Sequence, residues 1–215
     1  MKTTRTSKGV LAALIATTGV VWGADDWPMH LHDAERSGFS DTLIELPLSQ
    51  HWLHVSASAP EAAWAPPIPH AVEGNLEINR LDFDLAFQVA ASAEAVYFGS
   101  SSDDQVRCLD SRSGKVRWSF FADGPVRLGP SLDAGRLYFG SDDGFVYCLD
   151  AESGSVIWKR LLGFDRTRHL GNGRLISRWP VRSGILIRDG IAYCGAGVFP
   201  HEGIILCALE AESGD

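Results

Sequence analysis

Residues 160–182 form an arginine-rich stretch whose side chains are suited to contact an anion. The stretch holds seven basic or histidine side chains against one acid, Asp165, and it contains three glycines. A basic loop on an acidic body is typical of a contact point for an anionic ligand or a partner, and functional residues often lie on loops held by a rigid scaffold. The alternative is a solvated loop whose cations pair with acids of its own blade. The candidate contact residues are Arg127, Arg166, Arg168, His169, Arg174, Arg178 and Arg182.

Two kinds of paired residue offer ligands for a metal ion. Carboxylate pairs supply oxygen ligands, but Asp is also favoured at hairpin tips for backbone reasons. Histidine pairs need one or two further ligands to hold a metal, and no such residues cluster beside them. We therefore expect turn, surface or packing roles and no metal site. These pairs are Asp103-Asp104, Asp142-Asp143, His30 with His32, and His51 with His54.

No familiar catalytic motif occurs in the sequence. It lacks Gly-x-Ser-x-Gly, His-Glu-x-x-His and a phosphate-binding loop. We therefore predict no catalytic residue, and we expect binding rather than catalysis.

A ten-residue stretch that recurs about forty residues later indicates the elements that must hold these side chains. Residues 109–118 return as residues 149–158, and residues 209–214 begin a third copy. In each copy the acidic side chain can accept backbone N–H groups in an Asx-type turn, and the glycine can adopt positive φ. The tryptophan is predicted to pack between neighbouring units. The motif positions are Asp110, Gly114, Trp118, Asp150, Gly154, Trp158, Glu210 and Gly214.

Each repeat is predicted to contain four short antiparallel strands. Residues 94–100, 135–141 and 190–195 are short β-prone runs that end near glycine, and an Asp-Gly hairpin follows in the second copy. The segments 125–127 and 180–182 are predicted to be the leading strands. Four strands in about forty residues are typical of a propeller blade. The sequence thus predicts an all-β, apparently partial β-propeller of about three to four blades.

The pattern Ala/Cys-Leu-Asp-x-x-Ser-Gly-x-x-x-Trp resembles the repeat of pyrroloquinoline-quinone (PQQ)-type β-propellers. Residues 26–28 and 33–38 also resemble the opening of many exported propellers of this class. The class includes quinoprotein dehydrogenases and an outer-membrane-assembly lipoprotein. The dehydrogenases of this class hold a quinone against adjacent cysteines and a calcium ion with acidic and amide groups. The resemblance therefore implies these two ligands for a chain that has the same residues. The sequence has no Cys-Cys pair, so we expect no cofactor, with PQQ and calcium as the alternative.

The resemblance leads to one functional hypothesis and two alternatives. Seven or eight blades need roughly 280–320 residues, so the chain is expected to be a fragment, with further blades or domains elsewhere. The leading hypothesis is an exported, noncatalytic module that binds a protein or an anionic ligand. The alternatives are part of a quinoprotein alcohol or sugar dehydrogenase, and a sensory propeller of a larger protein.

Residues 1–24 read as a secretory signal peptide, because basic residues precede an apolar run too short to span a bilayer comfortably. We expect an N-terminal segment with a Pro-rich loop over 25–82 and blades over 83–215. Without residues 1–24 the chain has 16 basic and 27 acidic residues and a net charge of −11. This balance argues against nucleic acid as a partner. The prediction is a periplasmic or secreted protein with no membrane span after cleavage.

The four cysteines fall into two pairs. Cys108 and Cys148 hold a repeat position that the third copy fills with Ala208, so they are predicted to be packed thiols. Cys194 and Cys207 lie on consecutive predicted strands. They are either a cross-strand disulfide or two free thiols, because sequence does not determine connectivity.

Overall fold

The structure, a computed structural model, describes residues 26–64 and 84–215. The predicted signal peptide and most of the Pro-rich loop lie outside the described residues. Within them the chain forms thirteen strands and one short 3-10 helix, Pro200–Glu202. The predicted all-β class is confirmed.

Blades 1 and 2 are four-stranded antiparallel sheets with their strands in sequence order. Their strands are short because a turn interrupts the apolar run every five or six residues. Blade 1 contains β1 (Val89–Ala91), β2 (Ala95–Gly99), β3 (Gln105–Asp110) and β4 (Val116–Phe121). Blade 2 contains β5 (Ser131–Asp133), β6 (Arg136–Gly140), β7 (Phe145–Asp150) and β8 (Val156–Leu161).

Blade 3 and a separate hairpin complete the described strands. The hairpin pairs β9 (Arg168–Gly171) with β10 (Arg174–Ser177). Blade 3 has three strands in the described part of the chain. They are β11 (Leu186–Arg188), β12 (Ile191–Ala196) and β13 (Ile205–Glu210).

The sequence repeat is also a repeat of strand register. Cys108 lies opposite Trp118 and Cys148 lies opposite Trp158, and in both blades a bulge follows at the next residue. The bulge brings each tryptophan strand to the corner that carries the Asp-x-x-Ser-Gly motif. Equivalent residues of different blades can therefore be compared directly.

The apolar core lies in layers between blades. One layer joins the face of blade 1 that carries Val106 to blade 2, and the next joins the face of blade 2 that carries Val146 to blade 3. Both valines are fully buried. Blade 2 lies between the two layers, so β7 is apolar and buried from Phe145 to Leu149, whereas burial along β3 largely alternates.

The predicted positions of the leading strands are wrong, because these strands lie later in the sequence. Residues 125–127 and 180–182 are not strands, and the first strands of blades 2 and 3 begin four residues after these segments, at Ser131 and Leu186. Val126 N–H donates to the Ser100 carbonyl at 3.3 Å, and Val181 N–H donates to the Ser141 carbonyl at 3.0 Å. Each segment therefore ties its own blade to the preceding one.

The arginine-rich stretch was expected to be a loop, but it contains the β9–β10 hairpin. Asn172 (φ +48°) and Gly173 (φ +79°) form its two-residue turn. Positive φ at both central residues is the geometry that suits hairpins, and Asn-Gly is its strongest sequence signal.

All four cysteines are free thiols, and Cys108 and Cys148 are fully buried. Cys194 and Cys207 lie directly opposite each other on β12 and β13. The Ala211 N–H bond to the Gly190 carbonyl places them in a hydrogen-bonded pair of this ladder. In such a pair the Cα atoms are about 5.5 Å apart, and their Cβ atoms are farther apart than a disulfide prefers. Burial, and then the neighbouring Cys207, raise the pKa of Cys194 to about 12.

Candidate functional site

The acidic residue of the repeat motif closes the corner between the third and fourth strands. Asp110 Oδ1 accepts the Ser113 N–H at 2.9 Å and the Ser113 hydroxyl at 2.8 Å, and Asp150 accepts the same two groups of Ser153 at 2.8 and 2.7 Å. The Arg117 guanidinium, followed by Ser113, holds the pKa of Asp110 well below its usual range. These carboxylates are engaged in their own turns.

The third corner is built differently. Glu210 accepts only the Ser213 hydroxyl, at 3.3 Å, and no bond from the Ser213 N–H is found in the described chain. The longer side chain moves the carboxylate away from that N–H. The corner glycines Gly114, Gly154 and Gly214 nevertheless have φ of +67°, +72° and +78°.

Each motif tryptophan contacts the next blade. Trp118 Nε1 donates to the Ala151 carbonyl at 3.1 Å, and Trp158 Nε1 donates to the Ala211 carbonyl at 3.0 Å. Both indoles lie flat on the next corner glycine: a methyl group at Gly154 or at Gly214 would be 2.7 Å from the ring. The motif positions therefore hold adjacent blades together.

Trp52 repeats this contact on blade 1, although sequence reasoning assigned residues 25–58 no such role. Its Nε1 donates to the Ser111 carbonyl at 2.7 Å, and its ring covers Gly114. No Asp-x-x-Ser-Gly precedes it. Apolar and polar residues do not alternate over residues 51–55 and no strand forms there, so no local pattern marked Trp52.

A buried row of alternating charges links the inner ends of the blades. Arg127 donates through Nη1 to Asp84 and through Nε to Asp142, both at 2.7 Å. Arg182 donates through Nε and Nη2 to the two oxygens of Asp142, at 2.7 and 2.8 Å. Asp142 is fully buried, so it is held between two arginines. The row balances its own charge, and Arg127 Nη1 also donates to the Glu61 carbonyl at 2.7 Å.

This row does not fit the calcium ion that the dehydrogenase resemblance implies. Both oxygens of Asp142 accept from guanidinium groups, and Asp84 accepts from Arg127 and from the Ala63 N–H. Within residues 26–64 and 84–215, no group of three or more His, Cys, Asp and Glu is arranged to hold a metal ion. The described acids at this end of the blades are therefore poorly placed to serve as calcium ligands.

The β9–β10 hairpin is anchored across to the N-terminal segment and blade 1. Arg174 binds Glu61 at 2.9 Å, the Ser102 carbonyl at 3.1 Å and the carboxylate of Asp104. The Asn172 side-chain amide donates to the Ala62 carbonyl at 2.9 Å. Arg174 is therefore occupied by structural contacts, and its acidic partners lie in the N-terminal segment and blade 1, not in its own blade as the solvated-loop alternative supposed.

The remaining predicted contact residues lie nearer the surface. Arg166 lies 5.7 Å from the Phe145 ring centroid, and Arg168 donates to the Asp123 carbonyl at 3.4 Å. Arg178 faces Glu202 at 3.6 Å, a long ion pair. Beside them are two apolar side chains that face solvent, Phe164 and Leu170, which are 77% and 78% exposed. Sequence reasoning noted the cations of this surface but not its apolar residues.

A pocket of about 280 Å³ lies between the hairpin, Trp64 and the segment before the 3-10 helix. Its polar lining is His169, Asn172, Arg178 and Arg182, and no acidic residue lines it in the described chain. Trp64 and Phe199 form an edge-to-face pair with ring centroids 6.2 Å apart, and the Arg182 guanidinium lies 5.3 Å from the Trp64 ring. Three of the seven predicted contact residues, His169, Arg178 and Arg182, thus meet at one cavity.

Blades with this corner motif define the molecule as a PQQ-type β-propeller protein. The family model described as "Outer membrane protein assembly factor BamB" matches residues 102–215, more than half of the chain. The chain belongs to this family. A comparison with the curated proteins yields no match.

Solved structures share the fold at low sequence identity. Quinohemoprotein alcohol dehydrogenase from Comamonas testosteroni aligns with a TM-score of 0.62 and 18% identity over 88% of this chain and 26% of its own. A europium-containing methanol dehydrogenase aligns with a TM-score of 0.51 and 13% identity over 90% of this chain and 31% of its own. BamB from Moraxella catarrhalis aligns with a TM-score of 0.46 and 21% identity. The alignment covers 61% of this chain and 35% of the BamB chain. The chain thus spans about a third or less of each of these proteins.

Helical structure in the described residues is limited to one turn, and no helix there is long and apolar enough to cross a membrane.

Proposed function

We propose that this protein is an exported, noncatalytic propeller module that binds a protein partner. The contact surface lies on the insertion, residues 160–182, which contains the β9–β10 hairpin. The observation that carries the proposal is the exposure of Phe164 and Leu170 beside Arg166 and Arg168, in an anchored hairpin and the segment that leads into it. Aromatic residues and arginine are enriched at protein interfaces, and anchoring lowers the entropy lost on binding. The family description, an outer-membrane assembly factor, supports a role in assembly.

The composition of the surface indicates the chemistry of the partner. Arg166 and Arg168 offer positive charge, whereas the chain as a whole carries a net charge of −8. A partner with an apolar anchor flanked by carboxylates would complement the insertion, and the rest of the molecule would repel it at other sites. Predicted export, based on residues 1–24, places this contact in the periplasm or outside the cell.

A labelled peptide of alternating Glu and Leu residues tests the surface directly. We expect saturable binding by fluorescence anisotropy, weakened at least about fivefold in Arg166→Gln/Arg168→Gln and in Phe164→Ser/Leu170→Ser. Leu43→Ser is the matched control, because Leu43 is fully exposed outside the insertion. Equal binding by all variants, or no binding at all, would contradict the proposal.

A second experiment separates the scaffold from a dehydrogenase fragment. The chain is incubated with PQQ and calcium, then assayed for quinone absorbance and for dye-linked oxidation of alcohols and sugars. The proposal predicts no bound quinone and no turnover. Quinone retained through gel filtration, with alcohol-dependent dye reduction, would favour the dehydrogenase.

A further inference from the structure

We propose that the pocket beneath the insertion binds a small aromatic carboxylate. The pocket adjoins the partner surface and shares Leu170 with it, but its cations, Arg178 and Arg182, are not part of that surface. The cavity of about 280 Å³ is smaller than the pockets that take drug-sized ligands. It therefore suits a ligand of one or two rings.

The position of Arg182 supplies the preference for an anion. Its side chain is only 8% exposed, and two of its nitrogens are bound to Asp142. In the described chain no residue accepts a hydrogen bond from its third nitrogen, Nη1. Arg182 ends the alternating row of buried charges, so the row presents its positive end to the pocket. A ligand carboxylate near Nη1 would gain a charge-assisted hydrogen bond.

The guanidinium is held in place before any ligand arrives. Its bidentate contact with Asp142 fixes its plane, and Trp64 covers one side of it at 5.3 Å. A preorganised donor loses little side-chain entropy on binding. Arg178 and His169 add donors at the same cavity, and the Arg178 side chain is half-exposed with a long contact to Glu202, at 3.6 Å.

The walls of the pocket favour an aromatic body. Trp64 and Phe199 present ring surfaces, and Leu170, Ile176, Pro180 and Val198 complete an apolar lining. An aromatic ring among these residues would bury apolar area and pack edge-to-face against the existing pair. A neutral aromatic compound would gain the same packing but would lack the interaction with Arg182. Charge should therefore discriminate between two ligands of one shape.

Isothermal titration with three aryl carboxylates tests the proposal: benzoate, 3-phenylpropionate and 2-naphthoate. We expect 1:1 binding of at least one with a Kd below about 1 mM. Its amide counterpart should bind at least about tenfold more weakly. Failure of all three acids to bind, or equal affinity for acid and amide, would overturn the proposal.

Two variants locate the binding without removing the buried row. Trp64→Leu and Arg178→Gln should each weaken the acid at least about fivefold, whereas Arg160→Gln, an exposed arginine outside the pocket, should not. Circular dichroism checks that each variant remains folded. Two-dimensional NMR provides a second measurement, because shifts on adding the acid should cluster at residues 169–182 and 198–199. Shifts confined to other parts of the chain would contradict the site.

The peptide and the acid use different cations, Arg166 and Arg168 for the peptide and Arg178 and Arg182 for the acid, so either binding event can be lost without the other. If the parent protein binds an aryl carboxylate but not the peptide, the partner surface alone is refuted. If it binds the peptide but none of the three acids, the pocket alone is refuted.

Discussion

The face of blade 2 that packs on blade 3 and the equivalent face of blade 3 carry matching residues in opposite environments. Tyr138 on blade 2 is 1% exposed, and its hydroxyl donates to the Ala211 carbonyl at 3.1 Å. Tyr193, the same position on blade 3, is 44% exposed. Val146 on blade 2 is fully buried, whereas its counterpart Leu206 is 85% exposed. The repeat therefore specifies a face whose burial depends on a neighbouring blade, and blade 3 shows the same face uncovered in the described chain.

This difference separates what a blade does internally from what it does through its neighbour. The register of each sheet is the same in blades 2 and 3, so pairing does not require the neighbour. The tyrosine hydrogen bond and the burial of the β-branched side chain do require it. Paired substitutions at equivalent positions can measure the neighbour's contribution directly.

The largest expected effect is at Asp142, which lies two residues after the strand-ending glycine of blade 2. Gly197 holds that place in blade 3. Asp142→Asn would leave the buried Arg182 guanidinium without a counter-charge and Arg127 with Asp84 alone, and it should cost roughly 3–5 kcal/mol. Urea unfolding followed by circular dichroism measures it, with the exposed Asp189→Asn as control. A loss below about 1 kcal/mol would show that the row is not structural.

The strand-ending glycines allow a sharper comparison. A methyl group at Gly140 would lie 2.8 Å from the Val181 carbonyl oxygen and closer still to the Val181 side chain. Gly140→Ala should therefore cost about 1–3 kcal/mol through overpacking. At Gly195 the nearest atoms are on the exposed Leu206 side chain at 3.2 Å and the Ile205 carbonyl at 3.3 Å, so Gly195→Ala should cost less than Gly140→Ala, below about 0.5 kcal/mol. Similar losses in the two unfolding curves would contradict the comparison.

The tyrosine hydroxyls provide a smaller difference. Tyr138→Phe removes a buried hydrogen bond and should cost about 1 kcal/mol. Tyr193→Phe should be neutral within about 0.5 kcal/mol, because its hydroxyl lies on the exposed face. Thermal unfolding of the two variants beside the parent measures the difference. Equal shifts in Tm would mean that the hydroxyl acts within its own blade.

The smallest expected effect is the loss of corner stability at low pH. The pKa of Asp110 lies below its usual range because of Arg117 and Ser113, and that of Asp150 lies below its usual range because of Ser153. Each corner is therefore stabilised above the unfolded-state pKa, and the stabilisation is lost as the pH falls through the lower folded-state value. Carboxyl ¹³C titration should give midpoints below 3.8 for both residues. Midpoints above 4 would show that the corner bonds do not form in solution.

Much of the blade architecture was predictable because it depends on local, repeated chemistry. The Asp-x-x-Ser-Gly corners and the tryptophan four residues after each glycine appear in the sequence at a fixed spacing. The hairpin turn at Asn172-Gly173 was also readable as a local signal, but its glycines were taken as a sign of a loose loop.

The remaining features depend on contacts between distant segments. Trp52 meets Ser111 across 59 residues, and no spacing rule relates the two. The candidate pocket combines Trp64 with residues 169–199, and its cation is fixed by Asp142, which was interpreted only as a turn residue. Such assemblies become visible when the chain is folded, because each part alone has a common structural explanation.

The three indole contacts have a consequence for how the molecule comes apart. Trp52 covers blade 1, Trp118 covers blade 2 and Trp158 covers blade 3, always from the segment earlier in the chain. The cooperativity of unfolding then depends on couplings between nearest neighbours, and each coupling includes one indole contact. Loss of one indole would weaken the coupling between its own segment and the next blade, and it would leave the other two indole contacts in place.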